Sequence, residues 1–376
     1  MTFYYMIFLF LFLSVLLGKI YNRIQSILFF LWIIFFATIT AIRDGVGTDF
    51  ESYVGIFEIT PQWDSLFSTM PLVDWGFWYL NSTVKTFGGD VVVLFFFTSF
   101  ITTLSLYFVS KRILPQYTLV VLLIFYSFFL LRFEFNTIRH GIMAMCTWLG
   151  FTYIPSRNFK LFFIYVFWGG LFHVIGFFFI PFYWLLNYNI KPQKCILGII
   201  ISYFIGFYIP IFRFLQAVIP VNNIIGNKLF FYTEEYYATE NSSAAGITLG
   251  LMVYTILFFM LLYYWKKIEN YTYALLLRNS LFWAICFALL FNQYGVFVER
   301  FTSLLYISIV FIIPMIIHTL PKDKLNKLIF YFLFLLYCFL LLTKNLSSIE
   351  PSTGHFQYIP YLSLIHISEP TRPISI

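Results

Sequence analysis

Lys160-Leu-Phe-Phe-Ile-Tyr-Val-Phe-Trp-Gly169-Gly170-Leu-Phe-His173-Val-Ile-Gly176-Phe-Phe-Phe-Ile-Pro181-Phe-Tyr-Trp-Leu-Leu-Asn187 decides how the rest of the chain is threaded. It is too long for one ordinary membrane span of about 20 residues and short for two complete ones. As one helix it would put Lys266, Lys267 and the Lys322, Lys324 and Lys327 cluster outside, against the positive-inside bias. The better solution is a hairpin of two short helices turning at Gly169-Gly170-Leu-Phe-His173, with Gly176 and Pro181 loosening the second arm. Short or broken helices inside a membrane border polar cavities.

Around that hairpin the sequence has no surface to offer water: 61% of its 376 residues are hydrophobic and 10% charged. Apolar runs at about 2–18, 25–42, 91–110, 117–131, 136–154, 160–187, 195–212, 246–264, 273–293, 301–317 and 328–343 predict an all-α, polytopic transmembrane helical bundle. With the hairpin there are about twelve membrane segments, some short or broken, and both termini lie outside. The runs lack the polar–apolar alternation of a membrane barrel. The first run has neither a basic leader nor a small-residue cleavage site, and is expected to be retained. One set of connections is short and basic (Lys19/Arg23, Lys111/Arg112, Arg157/Lys160, Lys191/Lys194, Lys266/Lys267), which assigns it to the cytoplasm. The net charge of +7 follows from these loops and is no sign of nucleic acid. A large loop at 43–90 and a second at 213–245 are acidic and face outward. Residues 1–362 are expected to form a single integral-membrane domain, and 363–376 resemble a translated cloning tail. Cys146, Cys195, Cys286 and Cys338 show no disulfide or metal spacing.

This topology brings Arg43, Asp49, Arg132, Glu134, Arg139, His140, His173, Glu299 and Arg300 to the outer face, where arginines run against the bias. Arg132-Phe-Glu134-Phe-Asn136-Thr-Ile-Arg139-His140-Gly141 is the densest group. On a continuous helix Arg132, Asn136, Arg139 and His140 share one face, with Glu134 on another side. In the 43–90 loop, Asp49 is expected to cap a short amphipathic helix carrying Tyr53, Ile56 and Phe57. A second amphipathic piece, Val73-Asp-Trp-Gly-Phe-Trp-Tyr-Leu, suits the membrane surface.

There is no Gly-rich phosphate loop and no cytoplasmic acid cluster for magnesium, so nucleotide substrates are disfavoured. A lipid-linked pyrophosphate fits better. Arg139 and Arg300, with Arg43 or Arg132, are suited to hold a diphosphate and stabilise it as it leaves. A sugar hydroxyl that displaces it needs a base. His173 is the first candidate, with His140, Asp49, Glu134 and Glu299 as competitors.

Ile42-Arg43-Asp44-Gly45-Val46-Gly47-Thr48-Asp49-Phe50-Glu51-Ser52-Tyr53, then Asn136-Thr-Ile-Arg139-His140-Gly141-Ile, Leu171-Phe-His173 and Glu299-Arg300 resemble the EpsG-like, Wzy-type bacterial polysaccharide repeat-unit polymerases. The resemblance spans roughly residues 20–362. It implies a fold similar to the polytopic lipid-sugar glycosyltransferases, in the bacterial inner membrane with its active site facing the periplasm or cell exterior. The implied enzyme joins undecaprenyl-pyrophosphate-linked oligosaccharide repeat units, without metal or cofactor. Its expected partners are those glycans, membrane lipid, a flippase and a chain-length regulator, and no nucleic acid. Arg43, Asp49, Arg139, His173 and Arg300 match the family's pattern. Their assigned roles rest on chemistry: His173, Arg139 and Asp49 as catalytic, and Arg43, Arg132, His140, Arg300, Glu299 and Tyr53 as contacts to pyrophosphate or sugar. The family usually has Arg-Gln where this chain has Arg139-His140, so no role for His140 carries over. The alternatives are another lipid-linked-sugar transferase, such as an O-antigen ligase, and a polysaccharide transporter or flippase.

Overall fold

In a bilayer every backbone N–H and C=O must be satisfied within its own segment, so the long apolar runs become helices. The structure, a computed structural model, describes residues 1–66, 69–209, 247–292, 295–319, 324–349 and 354–364. In chain order the helices begin with α1 (Thr2–Ile20), α2 (Gln25–Ala41), α3 (Phe50–Ile59), α4 (Trp75–Thr86), α5 (Val91–Ile113) and α6 (Thr118–Phe125). A π-helix, Tyr126–Asn136, continues α6 and leads to α7 (Ile138–Phe151) and α8 (Phe159–Phe172). Then come α9 (Phe182–Leu185), α10 (Pro192–Tyr208), α11 (Leu249–Tyr263), α12 (Trp265–Ile268), α13 (Ala274–Leu290), α14 (Gly295–Tyr306), α15 (Ile309–Thr319) and α16 (Lys324–Leu346). Short 3-10 helices lie at Asn22–Ile24, Pro115–Tyr117 and Val174–Phe179, and among the described residues the β pairing is limited to isolated bridges, Arg43 with Ser363 and Ile349 with Phe356.

Six helical stretches are long and apolar enough to cross a membrane, and four shorter apolar helices of 10–17 residues accompany them. These are counts of the described residues alone, and they do not confirm the expected number of about twelve. The run expected at 136–154 is the clearest case, since it yields only the 14-residue α7 behind a backbone break at Thr137. The chain forms two compact units, Met1–Pro181 with Pro321–Ile376, and Phe182–Leu320. The expected loop at 213–245 lies outside the described residues. Of the tail 363–376, Ser363 and Leu364 pair with the backbone at 42–43, and the rest also lies outside them.

In the first unit α7 packs against α8, α5 and the π-helix, while α5 also lies along α2. α5 makes this close packing possible by burying Thr98, Ser99, Thr102, Thr103 and Ser105. Such small side chains let helices approach, and their hydroxyls can bond back to the preceding turn, as Thr102 Oγ1 does to the Thr98 carbonyl at 2.9 Å. The candidate span Pro115–Asn136 is 89% buried, against 17% for Leu328–Leu346, so the π-helix runs through the interior while α16 shows its apolar surface.

The predicted reversal after α8 is present. His173 leaves the helix in an extended conformation (φ −156°, ψ 122°), and a 3-10 helix, Val174–Phe179, returns along α8. Phe177 packs on Phe167 at 5.8 Å between ring centroids. A Cβ on Gly176 would lie 2.7 Å from the Gly170 nitrogen, so this hairpin needs glycine.

The 43–90 segment holds the two expected short helices. α3 buries Phe50, Tyr53 and Phe57 against Phe77, Leu94, Phe95 and Ile138, each large side chain contributing roughly 1.5–3 kcal/mol. α4 departs from the surface-lying expectation: Trp75 is 47% exposed but Trp78 is buried, because α4 packs on α8 and α5.

The second unit centres on α13, with α10, α11 and α14 packed against it. Gly198 of α10 faces the Phe282 ring and Gly206 faces Leu289, so the two helices run parallel. Phe287 and Phe301 stack at 3.9 Å.

Candidate functional site

The break between the π-helix and α7 organises the site, which lies wholly in the first unit. The Thr137 backbone (φ −90°, ψ 60°) ends the π-helix, and its N–H donates to the Arg132 carbonyl at 2.8 Å. Residues 132–140 are therefore not one continuous α-helix, and the expected shared face is overturned. π-Bulges recur at functional sites because they redirect side chains. Arg139 and His140 lie in the first turn of α7, whereas Asn136 turns to the 43–49 loop and the C-terminal segment. Its Oδ1 accepts from the Thr48 N–H at 3.0 Å, and its Nδ2 donates to the Tyr358 hydroxyl at 2.8 Å. Gly47 fits beneath it only as glycine: its φ is +101°, and a Cβ would sit 2.7 Å from Asn136 Oδ1.

Arg139 is the centre of the open group. Its Nη1 pairs with Asp74 Oδ2 at 3.0 Å, both side chains about a quarter exposed, and the guanidinium lies over the Phe77 ring at 5.9 Å. Asp74 Oδ1 also accepts the Val174 N–H at 3.2 Å, tying the start of α4 to the hairpin turn. The Tyr53 phenol meets the same guanidinium. Burial pushes that phenol above its ordinary value, Asp49 adds to the rise, and Arg139 opposes it. The His140 and His173 rings stand edge to face at 5.5 Å. His173 Nδ1 accepts the Ile175 N–H at 3.3 Å. In the neutral ring the proton then sits on Nε2, which makes His173 a donor there.

Beneath this group lies a second, closed one. Glu134 is buried, and its carboxylate accepts from Ser99 Oγ at 2.6 Å, Thr103 Oγ1 at 3.1 Å and Thr40 Oγ1 at 3.4 Å. Arg43 Nη1 donates to the Glu134 carbonyl at 2.9 Å. The rest of its guanidinium is boxed by Phe95, Phe135 and Phe50 at 4.7, 4.9 and 5.7 Å. Burial lowers Arg43 to about 10, which leaves it charged at neutral pH.

The sequence matches the EpsG family over residues 26–363. The chain belongs to the EpsG family. No curated protein and no solved structure matches it. The family and the long apolar helices make it a multi-pass membrane protein of polysaccharide biosynthesis.

Of the residues expected at the site of this EpsG-family protein, Asp49, Tyr53, Arg139, His140 and His173 come together. The structure gives three of the expected residues particular surroundings. Arg43 is 1% exposed, and its Nη1 holds the backbone of the π-helix at the Glu134 carbonyl. Asp49 is at the N-cap position of α3 but makes no side-chain capping bond, which leaves its carboxylate for other partners. His173 has its Nδ1 engaged by the Ile175 N–H. Arg132 sits partly buried on the π-helix before the break. Glu299, exposed, and Arg300, partly buried, are on α14 in the second unit. The residue missed is Asp74, counted in the sequence only among loop acids. Its position just before the amphipathic Trp75-Gly-Phe-Trp78 run was the available signal, since an Asp there starts a helix. Among the described residues no cluster of His, Cys, Asp and Glu could hold a metal ion.

Proposed function

We propose that this EpsG-family protein is a polysaccharide polymerase that joins undecaprenyl-pyrophosphate-linked repeat units at the outer face of the bacterial inner membrane. The observation that carries the proposal is the Arg139 group: one partly exposed guanidinium paired with the Asp74 carboxylate and met by the Tyr53 phenol, at the broken start of α7, with the His173 turn tied to the same Asp74 through the Val174 N–H. In this scheme Arg139 holds the pyrophosphate of the donor chain and stabilises the charge that grows as it leaves. Asp49 takes the proton of the acceptor sugar hydroxyl. That oxygen bonds to the anomeric carbon, the bond from that carbon to the pyrophosphate breaks, and undecaprenyl pyrophosphate departs. His173 donates from Nε2 to the departing phosphate oxygens, while Asp74 and Tyr53 fix the Arg139 fork. His140 stands against the His173 ring and so helps to fix it, and Arg132, partly buried on the π-helix before the break, is a further candidate contact for the pyrophosphate. A flippase supplies the substrate and a chain-length regulator acts on the product.

The test is a gel of lipid-linked glycans from cells carrying the intact gene, a deletion, or Arg139→Ala, with protein level checked. The expected result is a ladder of regularly spaced chains that collapses to a single repeat unit in both altered strains, a loss of about a hundredfold or more in polymer for Arg139→Ala. A ladder that persists without the gene sinks the proposal. One added unit in place of a ladder, from the intact gene, would assign the site to a ligase or single-addition transferase instead.

A further inference from the structure

The second unit contains a buried cation that the reaction above does not use. Arg278, in the second turn of α13, has no exposed surface. Its Nε and Nη2 donate to Asn279 Oδ1 at 3.2 and 3.0 Å, and Nη2 also reaches Asn189 Oδ1 at 3.4 Å. The guanidinium lies 4.3 Å from the Trp265 ring centroid. Nη1 has no hydrogen-bond partner, and among the described residues no carboxylate pairs with this side chain. A buried charge held only by neutral groups is costly, so such a site favours an anion beside it.

The surroundings are built to receive one. Asn279 Nδ2 donates to the carbonyls of Leu186 and Tyr188, at 3.0 and 2.7 Å, and so fastens the turn that presents Asn189. That turn leads into α10, which runs parallel to α13, so the starts of both helices lie at the same end of the unit. Neither start has a side-chain cap; Pro192 has no N–H, and the Lys194 and Ala274 N–H groups bond back to the Lys191 and Tyr271 carbonyls, which leaves the positive end of each helix dipole at that end of the unit. Lys191, Lys194, Lys266 and Lys267 are exposed at that end, with Glu269 as an acid beside them. Tyr188, Tyr263, Tyr264 and Trp265 supply the aromatic belt of a membrane–water interface. The short basic loops there are those assigned to the cytoplasm from the sequence.

We propose that the starts of α10 and α13, with Arg278 Nη1 between them, bind the phosphate of an anionic membrane lipid. Asn189, bonded to Nη2, is exposed and Trp265, over the guanidinium, is partly so, so the groups that flank the Arg278 guanidinium reach the surface of the unit; the proposed contact requires one of them to move aside. The surrounding lysines add attraction that is screened by salt, while Arg278 and the helix starts supply the selective part.

The full chain purified in detergent would be examined by native mass spectrometry after mixing with phosphatidylglycerol or phosphatidylcholine, and by thermal unfolding with each lipid or with inorganic phosphate alone. The expected result is retention of phosphatidylglycerol over phosphatidylcholine and stabilisation by it, with retention about tenfold weaker in Arg278→Gln. Replacing Lys266 and Lys267 by alanine should weaken retention less and mainly at low salt. Equal retention of the two lipids by the unaltered protein overturns the proposal, whether or not Arg278→Gln folds. So does selectivity that survives Arg278→Gln but vanishes with the lysines. Stabilisation by inorganic phosphate with no lipid preference would overturn the lipid as occupant.

Discussion

The two arginine groups of the first unit are built from similar residues and differ in one respect: whether the guanidinium has been withdrawn from solvent. Arg43, with Glu134 beneath it, spends its charge on a backbone carbonyl and three rings. Arg139, with Asp74, remains about a quarter exposed and keeps a fork from which a ligand can draw hydrogen bonds. Under the proposed function the first positions and the second contacts the substrate, though both read as outward arginines in sequence. If that division is right, changes in the Arg43 group should fail first in folding, and changes in the Arg139 group should fail first in activity.

The largest expected effect is at Arg43. Arg43→Met keeps most of the volume but leaves the Glu134 carbonyl without its donor and the carboxylate without its neighbouring positive charge. Truncating one side of a buried charged network costs about 3–5 kcal/mol. The purified protein should show a markedly lower unfolding temperature or fail to accumulate. A variant of normal stability with activity lost would erase the division, making Arg43 a substrate contact.

Next comes Gly47→Ala, which tests whether the closed group depends on the loop above it. The substitution forces a side chain into a left-handed conformation and against Asn136 Oδ1. The strain is about 1–3 kcal/mol. Because Asn136 also joins the C-terminal segment through Tyr358, protease cleavage near residues 354–364 should rise with it. Unchanged stability and cleavage would mean that the loop moves aside freely.

Much of this framework was legible from residue order. The reversal at His173 follows from Gly169, Gly170, Gly176 and Pro181, whose local effects outweigh the apolar run around them. The short helices α3 and α4 follow from amphipathic spacing inside an acidic loop. The π-helix was not legible, because its register depends on distant partners: Ser99, Thr103 and Thr40 hold Glu134, and Thr48 and Tyr358 hold Asn136. A period of 3.6 residues then groups Arg132 with Arg139 on a face that the backbone breaks. Nor does a charge in a sequence disclose its burial, which is why Arg43 and Arg139 looked alike. Asp74 was hidden for the same reason, its partners being Arg139 and the Val174 N–H.

The smallest effect, at Asp74, gives the sharpest test of the open group. Asp74→Asn keeps an oxygen for Val174 but removes the negative charge opposite Arg139. The pair is partly exposed, so its contribution to stability is discounted to within about 1 kcal/mol and the unfolding temperature should barely move. Activity should respond more, because an Arg139 that is no longer held in its fork presents fewer aligned donors to the diphosphate, a loss of about tenfold. Arg139→Gln should lose more than Asp74→Asn, and the double variant should be no worse than Arg139→Gln alone, since Asp74 acts through that side chain. Polymer yield per unit of protein in the four strains of this cycle measures the coupling. Losses that multiply would separate Asp74 from Arg139 and leave it the helix start and hairpin tether that its bond to Val174 already makes it.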